Sequence, residues 1–190
     1  MRAIALTFDD GPDPEGTPAV LQALDDVGAS ATFFVIAPLA EDHPELISRI
    51  LDGGHQIGVH CEEHVRHSDR DAVWGARDLD TALGRLLRLG VTPRRWRTPW
   101  GDQAEWTAPL ARRANLELTG WSTDTHDWRG DRAEQMLAAT RDGLVDGAVV
   151  LAHDGLGPGA RRADVAQTVR YVALAAGHAA THRLRLAALT

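Results

Sequence analysis

Apolar positions recur along this chain in two alternating rhythms. Short apolar runs fall at residues 3–6, 31–36, 55–59, 94–96, 116–121, 148–152 and 184–189. The run 31–36 is continuous and rich in aromatic and β-branched residues, which predicts a strand buried on both faces. Longer segments at 17–27, 44–51, 69–89, 104–114, 132–145 and 163–176 carry a helical spacing. In the first of them Val20, Leu21, Leu24 and Val27 share one face, and Gly28 marks its end. Pro44 suits the first turn of the second. Pro109 is expected to kink the 104–114 segment or delay its start.

Seven strands interleaved with helices predict an α/β chain with a parallel sheet and crossover helices. Periodicity leaves two architectures open, a doubly wound sheet and a closed or nearly closed barrel. Both place functional groups beyond the C-terminal ends of the strands. The polar residues obey that rule. Asp9 and Asp10 follow the first strand, and His60 and His64 the third. Arg97, Pro99 and Trp100 follow the fourth, Asp124, Asp127 and Trp128 the fifth, and His153 and Asp154 the sixth.

These residues suggest a chemistry. Neighbours on an extended chain point opposite ways, so Asp9 and Asp10 are expected to do different work. A cation can hold one carboxylate while the other stays free as a base. Asp-Asp-Gly-Pro is also good turn chemistry. His60 and His64 are four apart, a spacing that shares one face of a helical turn. With Asp10 they make a set of two imidazoles and a carboxylate, suited to zinc and also to cobalt or nickel. Hydrolysis then needs a proton acceptor, for which Asp9 is the candidate, and a proton donor, for which His153 is the candidate. Asp127 is placed to hold that imidazole protonated and in one tautomer. Arg97 is expected to form a bidentate pair with Asp9, and the N–H of Trp100 to face a developing oxyanion.

Composition narrows the class. With 190 residues, 44% hydrophobic and 25% charged, the chain is expected to form one domain over 1–190. A net charge of −7 argues against nucleic acid as a partner. Cys61 is the sole cysteine, so no internal disulfide is possible. No apolar run approaches the length of a membrane span. No leader is visible at the start, so a cytoplasmic protein is expected from the sequence as it stands; a secreted protein whose leader had been removed would look the same. Nothing in the sequence sets an oligomeric state.

The stretch Leu6-Thr7-Phe8-Asp9-Asp10-Gly11-Pro12, with Thr17-Pro18 and Ala31-Thr32-Phe33-Phe34-Val35, resembles the opening of the polysaccharide deacetylases that carry a NodB homology domain, carbohydrate esterase family four. Four more of that family's motifs have counterparts at His60-Cys61-Glu62-Glu63-His64, Arg97-Thr98-Pro99-Trp100-Gly101, Asp124-Thr125-His126-Asp127-Trp128 and Leu151-Ala152-His153. The resemblance covers nearly the whole chain. It implies a distorted seven-stranded (β/α) barrel and one divalent metal ion, usually Zn2+. It implies Asp9 as base, Asp10, His60 and His64 as metal ligands, Arg97 orienting the base and Trp100 at the oxyanion. It further implies His153 as acid tuned by Asp127, with Trp128 and Leu151 lining an acetyl pocket. The implied reaction is removal of N-acetyl from amino sugars or O-acetyl from xylan.

Three positions depart from the family pattern. Cys61 stands where a hydroxyl is usual, Glu62 and Glu63 put two carboxylates beside the ligands, and Trp100 replaces a commoner Tyr. The two glutamates suggest an acidic rim that favours a small or cationic substrate. The expected substrate is thus an acetylated carbohydrate or a small acetamide. The alternatives are an ester or other amide hydrolase, and a sugar-binding module without catalysis.

Overall fold

The computed structural model describes residues 2–190. Its core is one parallel sheet of eight strands. They are β1 (Ala3–Asp9), β2 (Thr32–Ile36), β3 (Gln56–Cys61), β4 (Arg95–Trp96), β5 (Glu117–Leu118), β6 (Thr123–Asp124), β7 (Val149–His153) and β8 (Arg185–Ala187). Seven run in the order β5-β4-β3-β2-β1-β7-β6. The eighth, β8, pairs with the first half of β1, and the residues after it bond Ser30 and Thr32 at the start of β2. This is the curled, incomplete barrel that the alternation of elements allows.

Central β2 carries buried apolar residues on both faces, whereas β1 is apolar on the face of Ile4, Leu6 and Phe8 and turns Thr7 and Asp9 to the other. Ile4, Leu6, Phe8, Phe33, Phe34 and Val35 are all at most 1% exposed, and burying each contributes about 1.5–3 kcal/mol. Phe8 and Phe33 stack with ring centroids 5.2 Å apart, which locks the β1–β2 register that pairs Phe8 with Phe33.

Seven α-helices connect the strands: α1 (Gly16–Asp26), α2 (Ala37–Asp42), α3 (Pro44–Asp52), α4 (Ala72–Arg88), α5 (Thr107–Arg113), α6 (Ala133–Thr140) and α7 (Ala166–Thr181). The short α2 was not expected; Pro38 in its first turn starts it directly after β2. Helix α4 begins at Ala72 and not at residue 69, because the Asp71 side chain accepts the Trp74 N–H at 2.8 Å and caps it. Helix α5 starts three residues later than expected. Pro109 then becomes its third residue, where its missing N–H is one the helix would leave unpaired anyway.

The segment 116–121 is not one strand. Its first part forms β5 against β4, the chain then crosses, and β6 pairs with β7 at the other margin of the sheet. Residues 119–122 make this link, so the two margins lie at most about 18 Å apart. All the strands point the same way, so the C-terminal ends of β1, β3, β4, β6 and β7 open on one cleft.

Candidate active site

That cleft has a volume of about 430 Å³ and is lined by Asp9, Asp10, His60, His64, Trp100, Trp128, Leu151 and His153, among others. The strict alternation expected of neighbouring aspartates breaks here. β1 ends at Asp9, and Asp10 takes a left-handed backbone with φ of +72°. Asp tolerates this region better than most residues, and such conformations gather at functional sites. The turn lets both carboxylates enter the cleft. The loop after β7 closes over Asp10 so tightly that a Cβ on Gly157 would lie 1.9 Å from a carboxylate oxygen.

Asp10 Oδ1 is 3.4 Å from His60 Nε2 and 3.1 Å from His64 Nε2. One donor atom from each residue lies within 4.8 Å of the others. Tetrahedral N and O ligands at about 2.0–2.1 Å from a cation sit about 3.3 Å from one another, so the spacing suits a metal. The buried Asp10 Oδ1 also has no hydrogen-bond partner, as expected of an atom kept for a cation. Burial opposes ionisation of Asp10, but the His60 and His64 imidazoles that face it, with the charges of His60 and His153, hold it well below the usual carboxylate range. The pairing of His60 with His64 does not use a helical turn. His60 is the fifth residue of β3, and His64 follows on a loop. The imidazole of His60 donates through Nδ1 to the Arg97 carbonyl at 2.7 Å, which leaves Nε2 free to face Asp10.

Asp9 stands beside the triad and is 3% exposed. Its Oδ1 accepts from Arg97 Nη1 at 2.9 Å, a single bond and not the bidentate pair expected, because the other guanidinium nitrogens are taken by backbone carbonyls. The same Nη1 donates to Thr7 Oγ1 at 2.7 Å, and the rest of the guanidinium donates to the carbonyls of Thr119 and Gly120. Arg97 is 1% exposed and lies over the Phe34 ring. Thr7 is two residues before Asp9 on β1, hence on the same face.

His153 comes in from β7. Its Nδ1 donates to Asp127 Oδ1 at 2.7 Å, so Nε2 is the nitrogen left for the cleft. Asp127 is 1% exposed, and its Oδ2 accepts from the His153 backbone N–H at 3.0 Å, Thr168 Oγ1 at 2.8 Å and Arg162 Nη1 at 2.7 Å. Burial works against a proton on His153. The charge and hydrogen bond of Asp127, with Asp10 and Asp9 nearby, outweigh it and push His153 up to about 9. Burial likewise opposes ionisation of Asp127, but His153 and Arg162 overcome it and lower that carboxyl.

Trp100 also has a left-handed backbone, φ +54°. Its N–H has no acceptor among the described residues, and its ring meets His64 edge-on at 4.3 Å. The structure therefore brings all ten candidate residues to one region, eight on the cleft wall and Arg97 and Asp127 directly behind it.

The departures from the family pattern resolve differently from one another. Glu62 turns away from the cleft, and both its oxygens accept from Arg85 Nε on α4, at 2.9 and 3.0 Å. Glu63 is absent from the lining too. The expected acidic rim is not there; the cleft wall carries Arg66 and Arg162 as well as Asp124. Cys61 is 1% exposed and belongs to no metal-ligand cluster among the described residues. Trp121 lines the cleft, whereas Trp74 and Trp106 pack around His67. Sequence reading missed Thr7, Arg66 and Arg162. Thr7 could have been found from its two-residue spacing to Asp9; Arg66 and Arg162 carry no local signal beyond lying near a ligand and after the Gly/Pro-rich loop.

Residues 1–119 match the family model described as polysaccharide deacetylase. A chitooligosaccharide deacetylase of Bradyrhizobium sp. (strain ANU 289) is 34% identical over 174 residues, 89% of this chain and 78% of that protein. A solved peptidoglycan N-acetylglucosamine deacetylase, in complex with a naphthalenyl N-oxidanyl-benzamide, is 30% identical and superposes with a TM-score of 0.90, covering 98% of this chain and 86% of the other. A pseudoenzyme of carbohydrate esterase family four from Bacillus anthracis shares the fold, with a TM-score of 0.88 at 17% identity over 99% of this chain and 64% of its own. The family model takes in Asp9, Asp10, both histidines of the triad, Arg97 and Trp100, and the full-length relative extends the likeness across most of the remainder. The chain belongs to the polysaccharide deacetylase family of hydrolases.

Proposed function

We propose that residues 1–190 form one catalytic domain, a divalent-metal-dependent deacetylase that removes acetyl from an N-acetylated amino sugar. The observation that carries this reading is the convergence of Asp10, His60 and His64, with the Asp9–Arg97 pair and the His153–Asp127 pair bordering the same cleft. Fold alone would not carry it, because a pseudoenzyme shares the fold. The names of the chitooligosaccharide and peptidoglycan relatives support the choice of an N-acetylated amino sugar.

Asp10, His60 and His64 would hold the cation, with zinc the first candidate and cobalt or nickel suited as well. Bound there, it supplies Lewis-acid polarisation of the acetyl carbonyl and makes a water more acidic. Asp9 takes the proton of the attacking water, while Arg97 fixes its carboxylate and Thr7 fixes Arg97. The Trp100 N–H faces the carbonyl oxygen as it gains charge. His153, kept protonated by Asp127, gives its proton to the sugar nitrogen as the C–N bond breaks. Acetate and a free amino sugar result. Trp128 and Leu151 line the part of the cleft that takes the methyl group.

The direct test is acetate release from N-acetylglucosamine oligomers, with O-acetylated xylan in parallel. We expect release from the first that stops with a chelator and returns with added Zn2+ or Co2+. Release from the ester alone would overturn the amide assignment. Sugar binding without any acetate would favour a binding module.

A further inference from the structure

The two imidazoles of the triad are mounted differently. His60 stands on a strand, and its second nitrogen is tied to the Arg97 carbonyl. His64 stands on the loop beyond that strand, and its Nδ1 is buried without a partner. A metal-ligating histidine ordinarily has its other nitrogen fixed by a hydrogen bond, which sets the direction of the ring. The edge contact with Trp100 fills space but does not by itself aim Nε2. The aim of His64 must therefore come from the backbone that carries it.

That backbone is held from outside the cleft. At its start, the Trp96 indole N–H donates to the His60 carbonyl at 3.1 Å. At its far end, the Trp106 indole N–H donates to the Arg70 carbonyl at 3.0 Å. Between these ties His67 is buried, stacked on Trp106 at 4.6 Å and tilted against Trp96 at 5.2 Å. Helix α4 admits the Trp106 ring because position 75 is glycine; a Cβ there would come within 2.2 Å of it. The middle of the loop, between the two ligands, has a different support. Asp78 of α4, 5% exposed, accepts the Glu63 N–H through Oδ1 at 2.8 Å and the Glu62 N–H through Oδ2 at 3.2 Å. Its hydrogen bonds go to these two amides. Burying a carboxylate without a cationic partner costs several kcal/mol unless its oxygens are satisfied, and a leucine at this core-facing position of α4 would avoid that cost. The position thus contributes something other than packing.

We propose that Asp78 is a positioning residue: by fixing the amides of Glu62 and Glu63 it aims His64 at the cation and so sets the affinity of the site. This rests on the reading of Asp10, His60 and His64 as metal ligands. The test is titration of the cation-free protein with Co2+, read by calorimetry and by the visible absorption of the bound ion, alongside thermal melting of the cation-free protein. Asp78→Asn keeps the shape but turns one acceptor into a donor that faces an N–H. We expect it to melt cooperatively and to bind Co2+ about 10- to 100-fold more weakly, with an altered visible spectrum. Asp78→Ser, which leaves room for a water to accept, carries the same comparison if the asparagine variant does not fold. A folded variant with wild-type affinity and spectrum, whatever its melting temperature, would overturn the proposal alone. Wild-type protein that binds no Co2+ would overturn it together with the reading beneath it.

Discussion

The two borders of the triad use the same ion-pair chemistry in opposite order. On one border a carboxylate, Asp9, faces the cleft and a guanidinium stands behind it. On the other an imidazole, His153, faces the cleft and a carboxylate stands behind it. Reversing which partner is exposed makes one side a proton acceptor and the other a proton donor. The supports differ as well. Asp9 and Arg97 sit at the ends of β1 and β4, so backbone ladders place them. The His153–Asp127 pair is gathered by side chains from two further segments, Arg162 before α7 and Thr168 within it.

The largest effect is expected where the contrast is cut at the acceptor. Asp9→Asn should lower kcat by about 10²- to 10⁴-fold while Co2+ affinity stays near wild type, because Asp9 is outside the triad. A variant that keeps full turnover would show that the acceptor lies elsewhere.

On the donor side the expected change is in pH dependence. His153 must be protonated to act, and its affinity for the proton is raised from 6.5 to about 9. The active form therefore persists through neutral pH and is lost as pH rises through that value. With a cation at Asp10 the limb lies lower, since Asp10 is one of the charges that hold it up. Asp127→Asn removes the largest raising influence, so the alkaline limb of kcat/KM should move to lower pH. Each unit of that move loses about tenfold in rate at a pH on the limb. An unmoved limb would detach Asp127 from the donor.

The smallest effect probes the supports. Arg162→Met deletes the bonds to Asp127 Oδ2 and to the carbonyls of His153 and Gly155 but leaves the His153–Asp127 pair itself. A loss in kcat/KM of about tenfold, ~1.4 kcal/mol, is expected. A loss as large as that of Asp9→Asn would mean that the two borders are equally dependent on a cation.

What was legible in the sequence follows the length of the strands. Strands β1, β2, β3 and β7 have five to seven residues, enough for an apolar run to declare itself, and the ends of β1, β3 and β7 carry the triad and the acid–base pair. Strands β4, β5 and β6 have two residues each, too few for any period. Residues 116–121 read as one strand because Leu116, Leu118 and Trp121 fall in one apolar run, although Leu116 is a core residue, Leu118 packs against the core and Trp121 lines the cleft. The pair His60 and His64 was found through a helical spacing although a strand end and a loop bring them together. The Asp78 contacts with Glu62 and Glu63 and the Arg162 contact with Asp127 were illegible because those partners lie 15 to 35 residues away, and only the tertiary fold makes them neighbours.

The guanidinium of Arg97 has a second consequence, mechanical in kind. It reaches from the end of β4 to β1 and to the carbonyls of residues 119 and 120, which lie in the link between the unpaired margins of the sheet. The barrel wall is thus clasped by a side chain where ladder bonds are missing, and the clasp is the same group that steadies Asp9. Lengthening that four-residue link would pull on the clasp and be felt at once by the proton acceptor. Added length in the outer helices would have no such route to the chemistry.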